Sequence, residues 1–355
     1  MSGASIYVLV DALGWEILRD RPFLDDVLTD RRPLRTILGY SSGAIPTLLT
    51  GQYPDEHGHW NLFFRSPETS PFAWTKPLRW LPRSLRESRV TRRAVNIASR
   101  RLSGYSGYFT IYNLPVERLP HFDICEHSDI YAPGGLAPAR SLFDEFVDRG
   151  IPYECYNYHR HSDAAILDLV PKRLRDSDAQ VFFLYLCQLD AYLHYHVGDG
   201  AGVSTTLAWY EARLRTVYEA AVARWGSATL HVFSDHGMTP ITGTYDLIRE
   251  VESLGLRVPD DYLPAYDSTM ARFWITSRRA AERIPALLSR LRCGRLLTEE
   301  ERKSLRIAFA DRRYGDLIFL MNSGTLICPS DMGRKPYAGM HGFHPDEPES
   351  YGVLL

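Results

Sequence analysis

Three short apolar runs, far apart in the chain, each lead within a few residues to an acidic side chain, and two of them lead to a histidine as well. The runs are Ile6–Val10, Val181–Cys187 and Leu230–Phe233, and all are rich in β-branched or aromatic residues. Such runs predict strands that are buried on both faces, as in a parallel sheet covered by helices. Because ligands bind beyond the carboxyl ends of parallel strands, we expect these polar side chains to converge at one edge of the sheet.

Helical patterns alternate with these runs. Ala139–Arg149 carries its large apolar residues on one face and ends at Gly150, and Thr205–Arg224 is followed by Gly226. A glycine just beyond an amphipathic stretch is typical of a helix C-terminus. Strands that alternate with helices predict the α/β class, with a mainly parallel sheet covered on both faces.

Two stretches interrupt this alternation. Residues 61–135 are rich in Pro, Trp, Tyr and Arg with little periodicity, and residues 241–315 hold a helix-rich segment after the predicted strand Arg272–Ile275. We interpret both as insertions that shape a substrate pocket. Further along, Leu317–Met321 and Thr325–Cys328 flank an Asn-Ser-Gly sequence, which predicts a β-hairpin.

Composition excludes several classes of protein. The chain has 355 residues with a net charge of −2, which argues against a globally basic protein that binds nucleic-acid polymers. Its five cysteines include no Cys-x-x-Cys pair, so neither a disulfide framework nor a zinc ribbon is expected. The first apolar run closes at Asp11, too early for a signal peptide, and no run is long enough for a transmembrane helix. We therefore expect a cytoplasmic protein.

Polar side chains next to the first strand and the first helix invite two interpretations each. Asp11 directly follows Ile6–Val10, where it either meets a cation or caps the next turn. Ser41 and Ser42 precede a short apolar helix that ends at Gly51. A hydroxyl at a helix N-terminus can face a phosphate, although a serine there commonly serves only as the N-cap.

Further acidic and histidine side chains follow the other two strands. Asp190 and His194 are four residues apart and share one face of a helical turn. Asp235 and His236 are adjacent before a glycine, and His341 lies near the end of the chain. Carboxylate oxygens and imidazole nitrogens both bind divalent transition metals. Each short pattern also arises by chance, so only their combination is evidence for a metal site.

In combination, these motifs resemble the alkaline phosphatase superfamily, and most closely its type I phosphodiesterase/nucleotide pyrophosphatase branch. The resemblance implies a three-layer sandwich with a mostly parallel central sheet, helices on both faces and cap insertions. It further implies one catalytic domain over residues 1–355, with 61–135 and 241–315 as the cap. The motifs occur in the family's order, namely Asp11, Thr50-Gly51, Pro54, His57-Gly58, Asp190, His194, Ser234–Met238 and His341-Gly342.

The resemblance also implies two divalent metal ions as cofactors. A mixed set of aspartate and histidine ligands favours zinc, with manganese and iron as alternatives. One ion would be bound by the later residues, and the other by a second set together with the nucleophile oxygen. The two sets are Asp190, His194 and His341, and Asp11, Asp235 and His236.

The nucleophile implied by the resemblance lies nine residues before Thr50, which is Ser41, with Ser42 as the runner-up. The chain departs from the family just after this position, since Gly43 and Ala44 stand where relatives carry Pro and Asn. We therefore expect no asparagine amide to hold a phosphoryl oxygen. The Pro and Arg that follow the modified residue of sulfatases are missing too, so sulfatase chemistry is not expected.

The activity implied is that of a metal-dependent phosphodiesterase or nucleotide pyrophosphatase that passes through a phosphoseryl intermediate. Its partner would be a small phosphate ester of the nucleotide type. A phosphomonoesterase and a phosphotransferase with an alcohol acceptor are alternatives on the same site. A protein that binds without catalysis is a fourth hypothesis, which the complete set of ligands argues against.

Candidate substrate contacts follow a predicted strand and flank a metal ligand. Tyr158, His159 and Arg160 form one group, in which aromatic rings can stack on a base and arginine can hold phosphate. Tyr192 lies between Asp190 and His194. Packing of a surface loop explains the first group equally well.

Residues 76–101 hold nine basic side chains and one acidic side chain, Glu87. Three interpretations stay open. The segment is a cap that attracts a polyanionic nucleotide, a contact with anionic lipid, or a solvated basic helix.

Overall fold

The computed structural model describes residues 3–355, in which strands and helices alternate along most of the chain. The strands are β1 Ala4–Val10, β2 Arg32–Leu34, β3 Phe63–Arg65, β4 Phe122–Ile124, β5 Tyr153–Tyr156, β6 Val181–Leu186, β7 Ala228–Phe233, β8 Thr239–Pro240, β9 Gly243–Tyr245, β10 Tyr262–Tyr266, β11 Met270–Ile275, β12 Gly294–Leu296, β13 Leu317–Met321, β14 Thr325–Ile327, β15 Gly339–Met340 and β16 Gly352–Leu354.

The α-helices are short apart from α5, α7, α9 and α11. They are α1 Trp15–Leu18, α2 Ser41–Thr50, α3 Pro54–His57, α4 Arg83–Arg86, α5 Arg89–Ser103, α6 Leu142–Asp148, α7 Asp163–Asp176, α8 Gln188–His196, α9 Gly200–Trp225, α10 Leu247–Glu252, α11 Arg278–Leu288 and α12 Glu299–Ser304. Three 3₁₀ segments cover Ala73–Trp80, Leu119–His121 and Pro348–Ser350. No helix in residues 3–355 is long and apolar enough to cross a bilayer.

The central sheet orders its strands β2-β16-β7-β1-β6-β5. Strands β7, β1, β6 and β5 run parallel, whereas β16 and β2 pair antiparallel at one edge. In the register, Val10 pairs with Leu186 and Leu9 with Phe233, so β1, β6 and β7 end side by side. The predicted α/β class with a mainly parallel sheet is confirmed.

Helices cover both faces of this sheet and complete three layers. On one face, α7 and α9 pack their buried aliphatic rows against alternate residues of β1 and β6, including Val8 and Leu184. On the other face, α2 and α6 pack against the intervening residues, including Leu9 and Phe183. Each fully buried aliphatic or phenyl side chain contributes roughly 1.5–3 kcal/mol, so these two interfaces hold the strand ends in fixed positions.

A second sheet, β10-β11-β13-β12, is antiparallel and has its own core. The predicted strand Arg272–Ile275 lies within β11, and the segment 241–315 contains further strands besides it and the expected helices. The predicted hairpin is wrong, since β13 pairs with β11 and β12 while β14 pairs with β9. Its turn is bonded to other segments: Asn322 N–H donates to Cys293, and the Gly324 carbonyl accepts from Thr242 and Gly243.

Two helices begin where their capping residues lie and not where the apolar periodicity predicts. The helix expected from Ala139 begins at Leu142, because Ser141 provides the N-terminal capping box. The helix expected from Thr205 begins already at Gly200, after the Asp199 side chain accepts a hydrogen bond from Gly202 N–H. Both predicted helices exist, but their starts are wrong by three and five residues.

Gly237 packs closely against the backbone just before β16, and a substitution there tests this contact. A Cβ added at Gly237 would lie 2.2 Å from the Glu349 carbonyl and 2.8 Å from that of Tyr351. We expect Gly237→Ala to lower the free energy of unfolding by about 1–3 kcal/mol or more, because the backbone must shift. Gly198→Ala is the matched control, with no atom within 4 Å of its added Cβ. Equal thermal unfolding temperatures for both variants would contradict the close packing.

Candidate active site

The carboxyl ends of β1, β6 and β7 bring three carboxylates together. Asp11 follows β1, Asp235 follows β7, and Asp190 lies in the first turn of α8, which follows β6. Buried Asp163 accepts hydrogen bonds from the N–H groups of Cys187 and Gln188 at 3.1 and 2.9 Å. The turn from β6 into α8 is thereby fixed, and so is the position of Asp190.

The six predicted ligands form two clusters, and within each cluster the ligand atoms lie within 4.8 Å of one another. In one cluster, His236 Nε2 lies 3.2 Å from Asp235 and 3.5 Å from Asp11. In the other, His194 Nε2 lies 3.3 Å from Asp190, and His341 Nε2 lies 3.7 Å from it. The clusters are adjacent, since the His236 and His341 rings stack with centroids 3.7 Å apart.

Backbone carbonyls orient two of the histidines. His194 Nδ1 is 2.9 Å from the Gly339 carbonyl, and His236 Nδ1 is 2.9 Å from the Gly237 carbonyl. A carbonyl can only accept, so each Nδ1 carries a proton, and when the ring is neutral its Nε2 lone pair faces the cluster. This arrangement is typical of histidines that bind a metal.

Several buried ligand atoms have no hydrogen-bond partner among residues 3–355. They include one oxygen each of Asp11, Asp190 and Asp235, and Nδ1 of His341. Buried polar atoms almost always have a partner, because leaving one unpaired costs free energy. A divalent cation in each cluster would satisfy these carboxylate oxygens. The two clusters therefore fit the implied pair of metal ions.

The protonation of the ligands follows from burial and mutual charge. Burial raises the pKa of Asp11, and the negative charges of Asp235 and Asp190 raise it further. Burial also opposes ionisation of Asp190, but the hydrogen bond and the charge of protonated His194 outweigh it and lower the pKa. Burial and the charge of His236 lower the pKa of His341. A neutral His341 is the form that binds a metal.

The two candidate serines point in different directions. Ser41 is the first residue of α2, and its Oγ lies 3.1 Å from His236 Nε2. Ser42 Oγ instead donates to the Trp60 carbonyl at 3.4 Å. The N-cap of α2 is Tyr40, so neither serine has the simple capping role. Ser41 is thus the hydroxyl that faces the Asp11 cluster.

The Thr50 to Gly58 stretch of the motif supports α2 and lies outside the two ligand clusters. His57 is buried, and its Nε2 lies 3.0 Å from the Thr47 hydroxyl. Its Nδ1 accepts from His59 N–H. Burial lowers the pKa of His57 to about 3, so the ring stays neutral and keeps both hydrogen bonds.

A cavity of about 450 Å³ opens over both clusters. Much of its wall is tyrosine, contributed by the central sheet, by residues 61–135 and by the C-terminal part. The Tyr185 hydroxyl donates to the second oxygen of Asp11. The tyrosines that line the cavity are Tyr40, Tyr108, Tyr112, Tyr131, Tyr158, Tyr185, Tyr195 and Tyr337.

A model of one known enzyme family matches nearly the whole chain. The family model described as type I phosphodiesterase/nucleotide pyrophosphatase matches residues 6–344. The chain belongs to this family. Its members are phosphoric ester hydrolases, so the predicted family and enzyme class are confirmed.

Solved structures show the fold of this phosphodiesterase family over nearly the whole chain. Human ectonucleotide pyrophosphatase/phosphodiesterase 5 matches with a TM-score of 0.67 and 13% identity, covering 99% of this chain and 87% of the other. The murine protein matches with a TM-score of 0.65, 15% identity and the same coverage, including as an inactive variant in complex with AMP. The alkaline phosphatase-like sandwich is thereby confirmed. A search of the curated proteins finds no match.

Of the four predicted substrate contacts, Tyr158 lines the cavity of this phosphodiesterase-family chain. Its ring packs edge-on against Tyr185, with centroids 5.4 Å apart. His159 lies behind it against Tyr131, and Arg160 is exposed to solvent. Tyr192 is turned away, since its hydroxyl donates to Asp199 and its ring stacks on His196. His159, Arg160 and Tyr192 do not line the cavity.

An asparagine amide does reach the cavity, contrary to the expectation from Gly43 and Ala44. Asn61 is buried, lines the cavity and has no hydrogen-bond partner for its Oδ1 among the described residues. Its Nδ2 lies 3.6 Å from the Met270 sulfur, a weak acceptor. The amide therefore remains available to a ligand. The sequence signal was its position three residues after Gly58, at the end of the conspicuous motif.

Glu126 places a carboxylate in the cavity wall that belongs to neither ligand cluster. Its side chain is buried and accepts a 3.3 Å hydrogen bond from Tyr108 N–H. Burial raises the pKa of Glu126 to about 7. Nothing in the surrounding sequence marked this residue, because residues 61–135 show little periodicity.

Metal binding can be tested without measuring turnover. We expect zinc added to chelator-treated protein to raise the unfolding temperature, because an ion that binds only the folded state stabilises it by about 2.7 kcal/mol at roughly 100 times Kd. Asp235→Asn should abolish most of this response. Asp178→Asn, which changes a fully exposed carboxylate, should leave it intact. The absence of any shift with zinc, manganese or iron would contradict the assignment of the clusters.

Glu126 generates a pH test of stability in metal-free protein. Between pH 4.5 and about 7, the folded state holds a proton that the unfolded state has released. Stability therefore falls as pH rises through this window. Relative to wild type, Glu126→Gln should gain up to about 3 kcal/mol of unfolding free energy across it. Urea unfolding at a series of pH values measures this.

The control for this test is Glu300→Gln, which changes an exposed glutamate of α12. Its curve of stability against pH should run parallel to that of wild type. A parallel curve for Glu126→Gln as well would show that Glu126 has no raised pKa in the folded protein.

Proposed function

We propose that this member of the phosphodiesterase family hydrolyses a small phosphate diester or pyrophosphate of the nucleotide type, with Ser41 as nucleophile. The observation that carries the proposal is the position of Ser41 Oγ, 3.1 Å from His236 Nε2 in the cluster with Asp11 and Asp235. A serine hydroxyl without a strong base nearby is a poor nucleophile near neutral pH, so it needs such surroundings.

Two divalent metal ions are part of the proposal, with zinc first and manganese or iron as alternatives. Asp190, His194 and His341 would hold one ion, and Asp11, Asp235 and His236 the other. When bound, such a pair stabilises a deprotonated nucleophile and offsets the charge that develops on the phosphoryl and leaving oxygens. The Tyr185 hydroxyl fixes the remaining oxygen of Asp11.

Side chains and backbone N–H groups of this chain then position the phosphoryl group and take part in the transfer. Ser41 gives up its hydroxyl proton to solvent, its Oγ attacks phosphorus to form the new O–P bond, and the leaving oxygen departs with its organic or phosphate group and takes up a proton from solvent. Water subsequently cleaves the phosphoseryl ester and releases the phosphate product. Gly43 and Ala44 N–H donate to the Tyr40 carbonyl, so Ser41 and Ser42 carry the N–H groups that precede the helical hydrogen bonds of α2 and favour a negatively charged phosphoryl oxygen. The Asn61 amide offers a further donor in the same cavity.

The volume of the cavity and its lining residues support a diester with an aromatic or sugar-like leaving group. A volume of about 450 Å³ suits a small molecule and not a polymer. The rings of Tyr108, Tyr112 and Tyr158 provide apolar surface beyond the phosphoryl position. The AMP complex of the murine structural neighbour agrees with a nucleotide-type substrate.

Purified enzyme with added zinc tests the proposal on a bis-aryl phosphodiester, an aryl phosphomonoester and an aryl sulfate. We expect the diester to be turned over fastest and the sulfate not at all. Ser41→Ala should lower kcat on the diester by at least about a thousandfold, as is typical when a nucleophile is removed. Ser42→Ala should keep most of the activity, because its hydroxyl faces Trp60.

The metal-dependent rise in unfolding temperature serves as the control for folding in both serine variants. Faster turnover of the monoester would favour a phosphomonoesterase. Accumulation of a phosphorylated alcohol when an alcohol is added would favour a phosphotransferase. Near-normal diester turnover by Ser41→Ala, with Ser42→Ala inactive, would move the nucleophile to Ser42.

A further inference from the structure

Helix α5 exposes a face on which apolar and basic side chains alternate. Val90, Arg93, Ile97 and Arg101 recur at helical spacing on this side and are all exposed, and Val90 is 80% exposed. Nine residues before α5 begins, the 3₁₀ segment ends at Trp80, which is 78% exposed, and Leu85 of the intervening α4 is also exposed. We call the exposed surface formed by Trp80, Leu85 and the outer side of α5 the basic face.

The basic face carries unbalanced positive charge. Arg89, Arg93, Arg100 and Arg101 are exposed and form no ion pair with any residue in 3–355. The one acidic side chain in this stretch, Glu87, is already paired with Arg86 and Arg92. The charge is therefore available to an external anion.

The opposite side of α5 is firmly attached to the protein. Val95 and Ser99 are buried, and the Ser99 hydroxyl accepts a 3.0 Å hydrogen bond from Trp74 Nε1. The Arg92 guanidinium donates to the carbonyls of Ile111 and Leu114 at 3.3 and 2.9 Å. The helix thus has enough internal partners to fold here, and its outer apolar side chains are not needed for that packing.

We propose that the basic face docks on the surface of an anionic phospholipid bilayer. Helices that lie in the membrane interface combine arginine or lysine with exposed tryptophan and aliphatic side chains, as this face does. The cations complement the phosphate groups, and Trp80, Leu85, Val90 and Ile97 enter the boundary between headgroups and acyl chains. A nucleic acid would leave these aliphatic side chains in water, and a second copy of the face would repel the first.

The proposal goes beyond the hydrolase activity and is testable separately from it. Full-length protein is sedimented with vesicles of phosphatidylcholine alone and of phosphatidylcholine mixed equally with phosphatidylglycerol. We expect binding to the mixed vesicles only, and weaker binding at higher salt. The triple variant Arg89→Gln, Arg93→Gln, Arg100→Gln should lower the partition coefficient about a hundredfold, since each basic residue near an anionic surface adds about a factor of five.

A matched triple variant, Arg279→Gln, Arg283→Gln, Arg290→Gln, removes the same charge from exposed arginines of α11 and the turn after it. It should bind the mixed vesicles as wild type does. Trp80→Ser with Val90→Ser should weaken binding while leaving its salt dependence. Turnover of a soluble phosphodiester should be unchanged in all these variants, because none of the altered residues lines the cavity.

Equal loss of binding in both triple variants would reduce the effect to net charge and overturn the proposal. So would the absence of vesicle binding, or binding to heparin without binding to vesicles, which would indicate a polyanion or an acidic protein instead. Failure of the diester assay with intact vesicle binding would count against the proposed function alone.

Discussion

Parallel pairing of β1 with β6 and β7 brings Asp11, Asp190 and Asp235 into one poorly solvated place. In water these carboxylates would scarcely interact, but here burial and the negative charges of Asp235 and Asp190 raise the pKa of Asp11. The hydrophobic layers on both sides of the sheet hold the strand ends in register despite this repulsion. The fold thereby holds these acidic side chains together, and cations bound between them would offset their repulsion and stabilise the fold in turn.

Features with a strong local signal could be predicted from the sequence. Val181–Leu186 is apolar throughout, and the four-residue spacing of Asp190 and His194 fixes their shared helix face whatever surrounds them. The motif order then indicated how the ligands group. Tyr185 had no such signal, because a tyrosine in an apolar strand is ordinary. Its hydrogen bond to Asp11 depends on the register between two strands that are far apart in the chain.

The cavity wall could not be predicted for a related reason. Tyr108, Tyr112 and Glu126 come from a stretch with few regular elements, where β3 pairs with β4 across more than fifty residues. The turn at Gly324 likewise resembled a hairpin, yet its hydrogen bonds go to residues 242–243. Tertiary contacts decide such segments, and no short window of sequence contains them. The division into a domain with two cap insertions and the cytoplasmic location stay predictions.

Residues 61–135 contribute two surfaces that the strand ends do not provide. The inner side of this segment supplies tyrosines and Glu126 to the cavity, while the outer side of α5 carries the unpaired arginines. Arg92 links the two sides, since its guanidinium holds the carbonyls around Tyr112. None of the exposed arginines of α5 lines the cavity, so changes to them leave the acidic side chains at the ends of β1, β6 and β7 in place. The sequence of residues 61–135 can therefore vary without moving the acidic and histidine side chains at the carboxyl ends of β1, β6 and β7.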